Sequence, residues 1–358
     1  MPVVQKAHHQ ELDALLKLTI APAQSSDVLD DVAALNEVGR RRLLALAEAN
    51  HVVMRAFRTF GEQTTSTELA EWARHILARE QQRIVNALTF LHHVCDDLER
   101  GGCPNTVIKS LDHWPDLGSD LDLYTTADAR RVVQVMLARL GAHIGPRSWG
   151  DRLANKWNFA VPGLPESVEV HAQRLGQTGE HRAMAERFVT RRVSKMIEGL
   201  IFQVPAPEER IIIATLQRMY RHFYFRVCDI VDTVALLDAG QLDFDELKQA
   251  ADLGGIWAGV AAYLKIVCDF ALRYRGEAPR LPKLVLGSAR FGGESVFARG
   301  LFLRVPILPL GADLYSRQIT STALRGDLPA TLRLSLLPYL ASAAAVTFRI
   351  TGSDKGIW

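Results

Sequence analysis

The sequence is poor in the features that most quickly betray a function. It has four cysteines in 358 residues, and Cys95, Cys103, Cys228 and Cys268 form no CxxC pair and no regular spacing. That pattern argues against a zinc-ribbon or dithiol redox framework and fits a reducing compartment. Charge of one sign is missing too: 42 basic against 40 acidic residues give a formal net charge of +2. No global field therefore draws the chain to long nucleic acid or to an acidic membrane. The N-terminal stretch MPVVQKAHHQELDALLKL lacks the apolar core of a signal peptide. Of the apolar runs, Gly254 to Leu272 carries Lys265 and Asp269, and Leu334 to Phe348 reads as too short to span a bilayer. GSARFGGES, Gly287 to Ser295, has glycines but no Gly-Lys-Ser/Thr, so it is no Walker loop. There is no repeat and no low-complexity tract. A soluble cytoplasmic protein is expected.

What is present is a change of texture. The first hundred residues read helical, with Val28 to Phe60 carrying Leu, Val and Ala at three- and four-residue intervals. Thr65-x-x-Glu68 predicts a capping box before a long helix stopped by Gly101 and Gly102. TVIKSL and DLDLYT then read as strands, ADARRVVQVMLARLG as a helix, and NKWNFAV and SVEVHAQRL as strands about the turn Pro162 to Pro165. Arg182 to Phe202 reads as a helix, followed by a helical block to Arg275 and a tail with KLVLG and GLFLRVPIL as strands and Leu328 to Val346 as a helix. The expected organisation is a helical region over 1–103, an α+β core over 104–205, a helical region over 206–278 and a mixed region over 279–358.

The chemistry concentrates in GSDLDLYT. Asp120 and Asp122 lie on period-two texture, so both carboxylates project from one face of a strand. Like charges that close need either water or a cation. The chain holds its own contrast in LDFDEL, where Asp243 precedes a helical run and reads as an N-cap without a metal. Near the first pair stand Lys109-Ser110, with nine residues between Ser110 and Asp120, and a third acid, Glu169, between Val168 and Val170 on a later strand. Two acids on one strand and a third on another suit hard divalent cations such as Mg²⁺, which take oxygen ligands.

KSLDHWPDLGSDLDLY followed by SVEVHAQRL resembles the polymerase-β-like nucleotidyltransferase superfamily. More narrowly it is similar to a largely uncharacterised bacterial family with Lys-Gly after the first strand, Asp-x-Asp, and an acid-x-His string; Lys109 and Glu169-Val170-His171 match those features. The resemblance implies a small mixed β-sheet core with helical additions. It implies transfer of an NMP from an NTP to an acceptor hydroxyl with release of pyrophosphate. Asp120, Asp122 and Glu169 would be catalytic and hold Mg²⁺ or Mn²⁺. Ser110, Lys109, Ser119, Arg152, Lys156 and His171 would attend the nucleotide. The chain departs from the pattern in having Ser110 where glycine lets backbone amides approach a triphosphate, and Glu169 for the commoner Asp. Arg187, Arg191 and Lys195, spaced by four, would line one helical face as a further cationic surface. YRHFYF offers aromatics to a base or to the core, and His92, His93, Asp96 and Asp97 have metal-capable helical spacing. Asp229 and Asp232 read as a cap or as partners of nearby arginines. A small molecule or a protein is favoured as acceptor over long nucleic acid, with a tRNA end still open; no membrane partner is expected. The alternatives are a nucleotidyltransferase-like scaffold that binds without turnover, and an Asp-x-Asp glycosyltransferase.

Overall fold

The computed structural model describes residues 3–22 and 26–352. Its architecture is α+β, with a small mixed sheet between helical N- and C-terminal regions. The sheet holds β1 (Asn105–Val107), β2 (Asp120–Thr125), β3 (His143–Ile144), β4 (Lys156–Ala160) and β5 (Ser167–Ala172), in the order β1-β2-β5-β4-β3. β2 and β5 run parallel, and the other neighbours are antiparallel.

The alternation of DLDLYT is what seats the sheet. Leu121, Leu123, Val168 and Val170 are fully buried on one face, in a core shared with Ile84, Leu88 and Leu91. Those last residues belong to the helix Thr67–Arg100, whose buried stripe recurs every three or four positions along about nine turns. Its cap is Ser66, accepting from the Leu69 amide at 3.4 Å, one residue on from the expected Thr65. Burial of each such side chain stabilises by roughly 1.5–3 kcal/mol. Asp120 and Asp122 are left on the opposite face of the sheet.

Elsewhere the chain departs from its local texture. The run Val28 to Phe60 is interrupted, giving helices Ser26–Ala33, Glu37–Ala49 and Val53–Gln63. Arg182 to Phe202 is not one helix. The helix Ala183–Thr190 stops, and a hairpin follows, β6 (Arg192–Ile197) paired with β7 (Leu200–Pro205). The reason is Glu198-Gly199: both have positive φ, 48° and 76°, the two-residue turn that matches strand twist. Phe202 and Val204 then bury one face of the hairpin. KLVLG is helical as Lys283–Ser288, opened by Pro282, whose fixed φ suits a helix start. A five-residue apolar run is ambiguous between the two states. TVIKSL gives only β1 as strand, and GLFLRVPIL only the short strand Phe302–Arg304. Leu328 to Val346 extends into Leu328–Ser335 and Leu337–Thr351, joined at Leu336. As one 24-residue segment, Leu328–Thr351 is long and apolar enough by length and composition to cross a membrane. This revises the expectation that the run is too short. Asp243 is the N-cap of Phe244–Gly254, accepting from the Asp245 and Glu246 amides, as its contrast role required.

Leu123→Ala should lower unfolding free energy by about 2–5 kcal/mol in urea titrations, because it opens a cavity under the acidic face. Val193→Ala, on the exposed side of the hairpin, should stay within about 0.5 kcal/mol of the parent.

Candidate active site

The pairing of β2 with β5 sets Asp122 opposite Glu169 and Tyr124 opposite His171. Carboxylate oxygens of Asp122 and Glu169 and a ring nitrogen of His171 lie within 4.8 Å of one another. Asp120 stands one pleat before Asp122, at the exposed mouth of the cleft. Partial desolvation by the cleft walls, and then the charges of Glu169 and Asp122, push its carboxyl above the ordinary value. Burial also opposes ionisation of Asp122, but Lys109 and His171 outweigh it and hold that carboxyl well below the usual range.

The turn before β2 is built around Lys109. It lies outside β1, with φ 63° and ψ −60°, and the Ser110 amide donates to the Ile108 carbonyl at 2.6 Å. This is a γ-turn of the rare, strained kind. It turns the Lys109 ammonium onto Asp122, so the lysine is neither a strand-end residue nor directed into solvent. Ser110 then bridges the strand: its hydroxyl donates to the Asp120 carbonyl at 3.2 Å and accepts from the Asp122 amide at 2.8 Å. The serine therefore orients the acidic pair, and its hydroxyl is already engaged.

Lys156 on β4 is buried between two acids, 2.9 Å from Asp151 and 3.2 Å from Glu169. His171 is buried with its Nε2 3.5 Å from Asp122, and burial lowers its pKa. Ser119 lines the cleft beside Asp120. Arg152 is exposed on the helix Trp149–Leu153 and lies in none of the described cavities. Arg187 and Arg191 are tied up by Glu208, Glu209 and Glu246, and Lys195 donates to the Leu111 carbonyl at 2.7 Å. Because the helix ends at Thr190, these three do not share one helical face.

The acids open on a cavity of about 240 Å³ whose other wall is basic. That wall comes from Leu216–Arg221, a π-helical turn continuing the helix Pro207–Thr215, and from the residues just after it. It presents Arg218, Arg221, His222, Tyr224 and Arg226. Arg218 pairs with Asp229 at 2.7 Å, whereas Arg221 has no ion-pair partner among the described residues. Burial and the surrounding Arg221, Arg218, Arg226 and Lys109 push the His222 pKa down to about 2. From YRHFYF, Arg221, His222 and Tyr224 line the same cavity as the acids. Arg221 closes the π-helical turn. Asp229 serves both expected roles, accepting from the Arg226 amide at 2.6 Å and pairing with Arg218.

The donor set fits a hard divalent cation. Three carboxylates line one cavity, and two of them, Asp122 and the half-buried Glu169, are paired with protein ammonium groups that a metal can displace. The basic wall opposite fits a polyphosphate.

Three outcomes follow. Asp122→Asn leaves Lys109 without its buried partner and should cost about 3–5 kcal/mol of stability. Asp120→Asn removes a repelled charge and should leave the melting temperature unchanged or raised, as read by calorimetry of both variants. Inorganic tripolyphosphate, by countering the field of the arginines, should raise the His222 pKa toward the ordinary 6.5 in ring-proton NMR titrations.

No protein-family model matches the sequence, and no curated protein matches it. Among solved structures, the chain is distantly similar to an antigenic nucleotidyltransferase-like protein from Paracoccidioides brasiliensis. The two are 16% identical, with a TM-score of 0.33 over 46% of this chain and 85% of that one. The reading of the site rests on its own geometry.

Proposed function

We propose that this cleft carries out metal-dependent nucleotidyl transfer. An acceptor hydroxyl oxygen attacks the α-phosphorus of an NTP, the bond to the β-phosphate oxygen breaks, pyrophosphate leaves, and the hydroxyl proton passes to a carboxylate. The observation that supports this most is three acids from two adjacent parallel strands in one cavity with a cluster of basic side chains, among them Arg221, which has no ion-pair partner among the described residues. Asp120, Asp122 and Glu169 would hold a divalent cation, Mg²⁺ or Mn²⁺. Such an ion would neutralise the triphosphate and acidify the hydroxyl.

The chain's own residues do the rest. Arg221 and Arg226 orient the β and γ phosphates and offset the charge that builds on the leaving pyrophosphate. Ser110 holds Asp120 and Asp122 in register through their shared strand backbone. Lys156 donates to both carboxylate oxygens of Glu169 and aims the group at the cleft, where it would take the proton. Lys109 moves from Asp122 to a phosphate oxygen when the cleft fills.

A second reading has its own support. Lys109 on Asp122 and Lys156 on Glu169 already compensate the buried acids, as a scaffold that binds nucleotides without turnover would require.

The test is pyrophosphate release from each of the four NTPs, with Mg²⁺ and pooled hydroxyl-bearing small molecules, alongside calorimetric binding of the α,β-methylene analogues. Turnover should need Mg²⁺ and fall at least about 10³-fold in Asp120→Asn, while Arg221→Ala chiefly raises KM. Tight analogue binding with no pyrophosphate under any condition would favour the idle scaffold.

A further inference from the structure

A second group of metal-capable side chains stands beside the acidic cleft and takes no part in the reaction proposed above. His51, His113 and Cys228 each bring one ligand atom to within 4.8 Å of the others. They come from three distant parts of the chain. His51 follows the helix Glu37–Ala49, His113 ends the 3₁₀ turn Ser110–His113 that leads away from Lys109, and Cys228 lies in the first turn of the helix Val227–Asp238.

The orientation of His113 is fixed in a way metal ligands favour. Its Nδ1 is 2.6 Å from an Asp232 carboxylate oxygen, so that nitrogen carries the proton it donates, and Nε2 is turned to the Cys228 sulfur 4.0 Å away. A carboxylate on the remote ring nitrogen is the usual support of a ligating histidine. The buried Nδ1 of His51 has no hydrogen-bond partner among the described residues. With Zn–S near 2.3 Å and Zn–N near 2.05 Å, tetrahedral ligation needs a sulfur–nitrogen separation of about 3.6 Å. The observed gap closes with a few tenths of an ångström of side-chain movement.

The backbone around the three is set independently of any ion. Asn50, the residue before His51, accepts from the Val227 amide through its side chain at 3.0 Å and from the Cys228 amide through its carbonyl at 3.3 Å. Arg55 donates to the His113 carbonyl at 2.9 Å and pairs with Asp232 at 2.6 Å. Gly118 leaves room for the His51 ring, since a Cβ there would lie 2.9 Å from its Cε1. His51 itself has φ 53°, a conformation that histidine tolerates better than most residues.

We propose that His51, His113 and Cys228 form a binding site for a thiophilic divalent transition metal of the zinc class, separate from the oxygen-ligand site of Asp120, Asp122 and Glu169. One thiolate and two imidazoles select zinc or cobalt over magnesium. Three protein ligands leave a fourth position, and His51 and His113 both line the cavity of the acidic cleft. The metal clasps the turn that carries Lys109 and Ser110 to the helix Val227–Asp238.

The test uses the full chain, stripped with chelator, reduced, and titrated with Co²⁺ in excess Mg²⁺. The expected result is a near-ultraviolet thiolate-to-cobalt band saturating at one equivalent and displaced by Zn²⁺. Cys228→Ser should abolish the band, the triple variant Cys95→Ser, Cys103→Ser, Cys268→Ser should keep it, and Asp232→Asn should weaken binding about 10–100-fold. Absence of the band in the parent chain would overturn the proposal whether or not the variants fold. So would an undiminished band in Cys228→Ser, or His51→Gln binding as tightly as the parent.

Discussion

Everything at the cleft depends on the parallel pairing of β2 with β5. Side chains alternate along each strand, so a shift of one residue in that register would move Glu169 to the far face of the sheet. The register is held by the leucines and valines beneath, packed against the long helix Thr67–Arg100. The apolar face thus fixes the polar one, and like-charged groups stay near one another because the core beneath them allows no slip.

Compensation of those charges comes from above and beside. Lys109 reaches Asp122 only because its backbone takes a tight turn that glycine would adopt more readily. The strain at Lys109 and the hydroxyl of Ser110 belong to one device, a short connection that sets the lysine over the strand and ties down both aspartates. Lys156 does the same for Glu169 from the next strand. The pairs set a protein ammonium group on each of Asp122 and Glu169. The basic wall contributed by Leu216–Arg221 and the residues after it supplies the opposite charge without touching the acids.

The part of this arrangement written locally was legible in the sequence. DLDLYT and SVEVHA announce their faces by period two, and Asp243 announces a cap. The shared face of Asp120 and Asp122 and the strand around Glu169 could be read in this way. What was hidden needed distant packing. Lys109 looked like a strand residue because its positive φ has no side-chain signature. Arg221 and His222 lay within an apparently ordinary helix that ends in a π turn. Arg187, Arg191 and Lys195 kept an attractive four-residue spacing, but Glu198-Gly199 turned their segment into a hairpin. His51, His113 and Cys228 share no local motif, since three separate stretches bring them together.

If the cleft transfers nucleotides as proposed, the acids of β2 and β5 hold a divalent cation against a triphosphate bound to the basic side chains. The most direct measurement is crystallography of the protein with Mn²⁺ and a non-hydrolysable NTP, using anomalous scattering to locate the metal. The account predicts an anomalous peak coordinated by Asp120, Asp122 and Glu169, with Lys109 released from Asp122 and phosphate oxygens at Arg221. A nucleotide bound with no peak among those acids and both lysines still in place, or bound elsewhere, would contradict it.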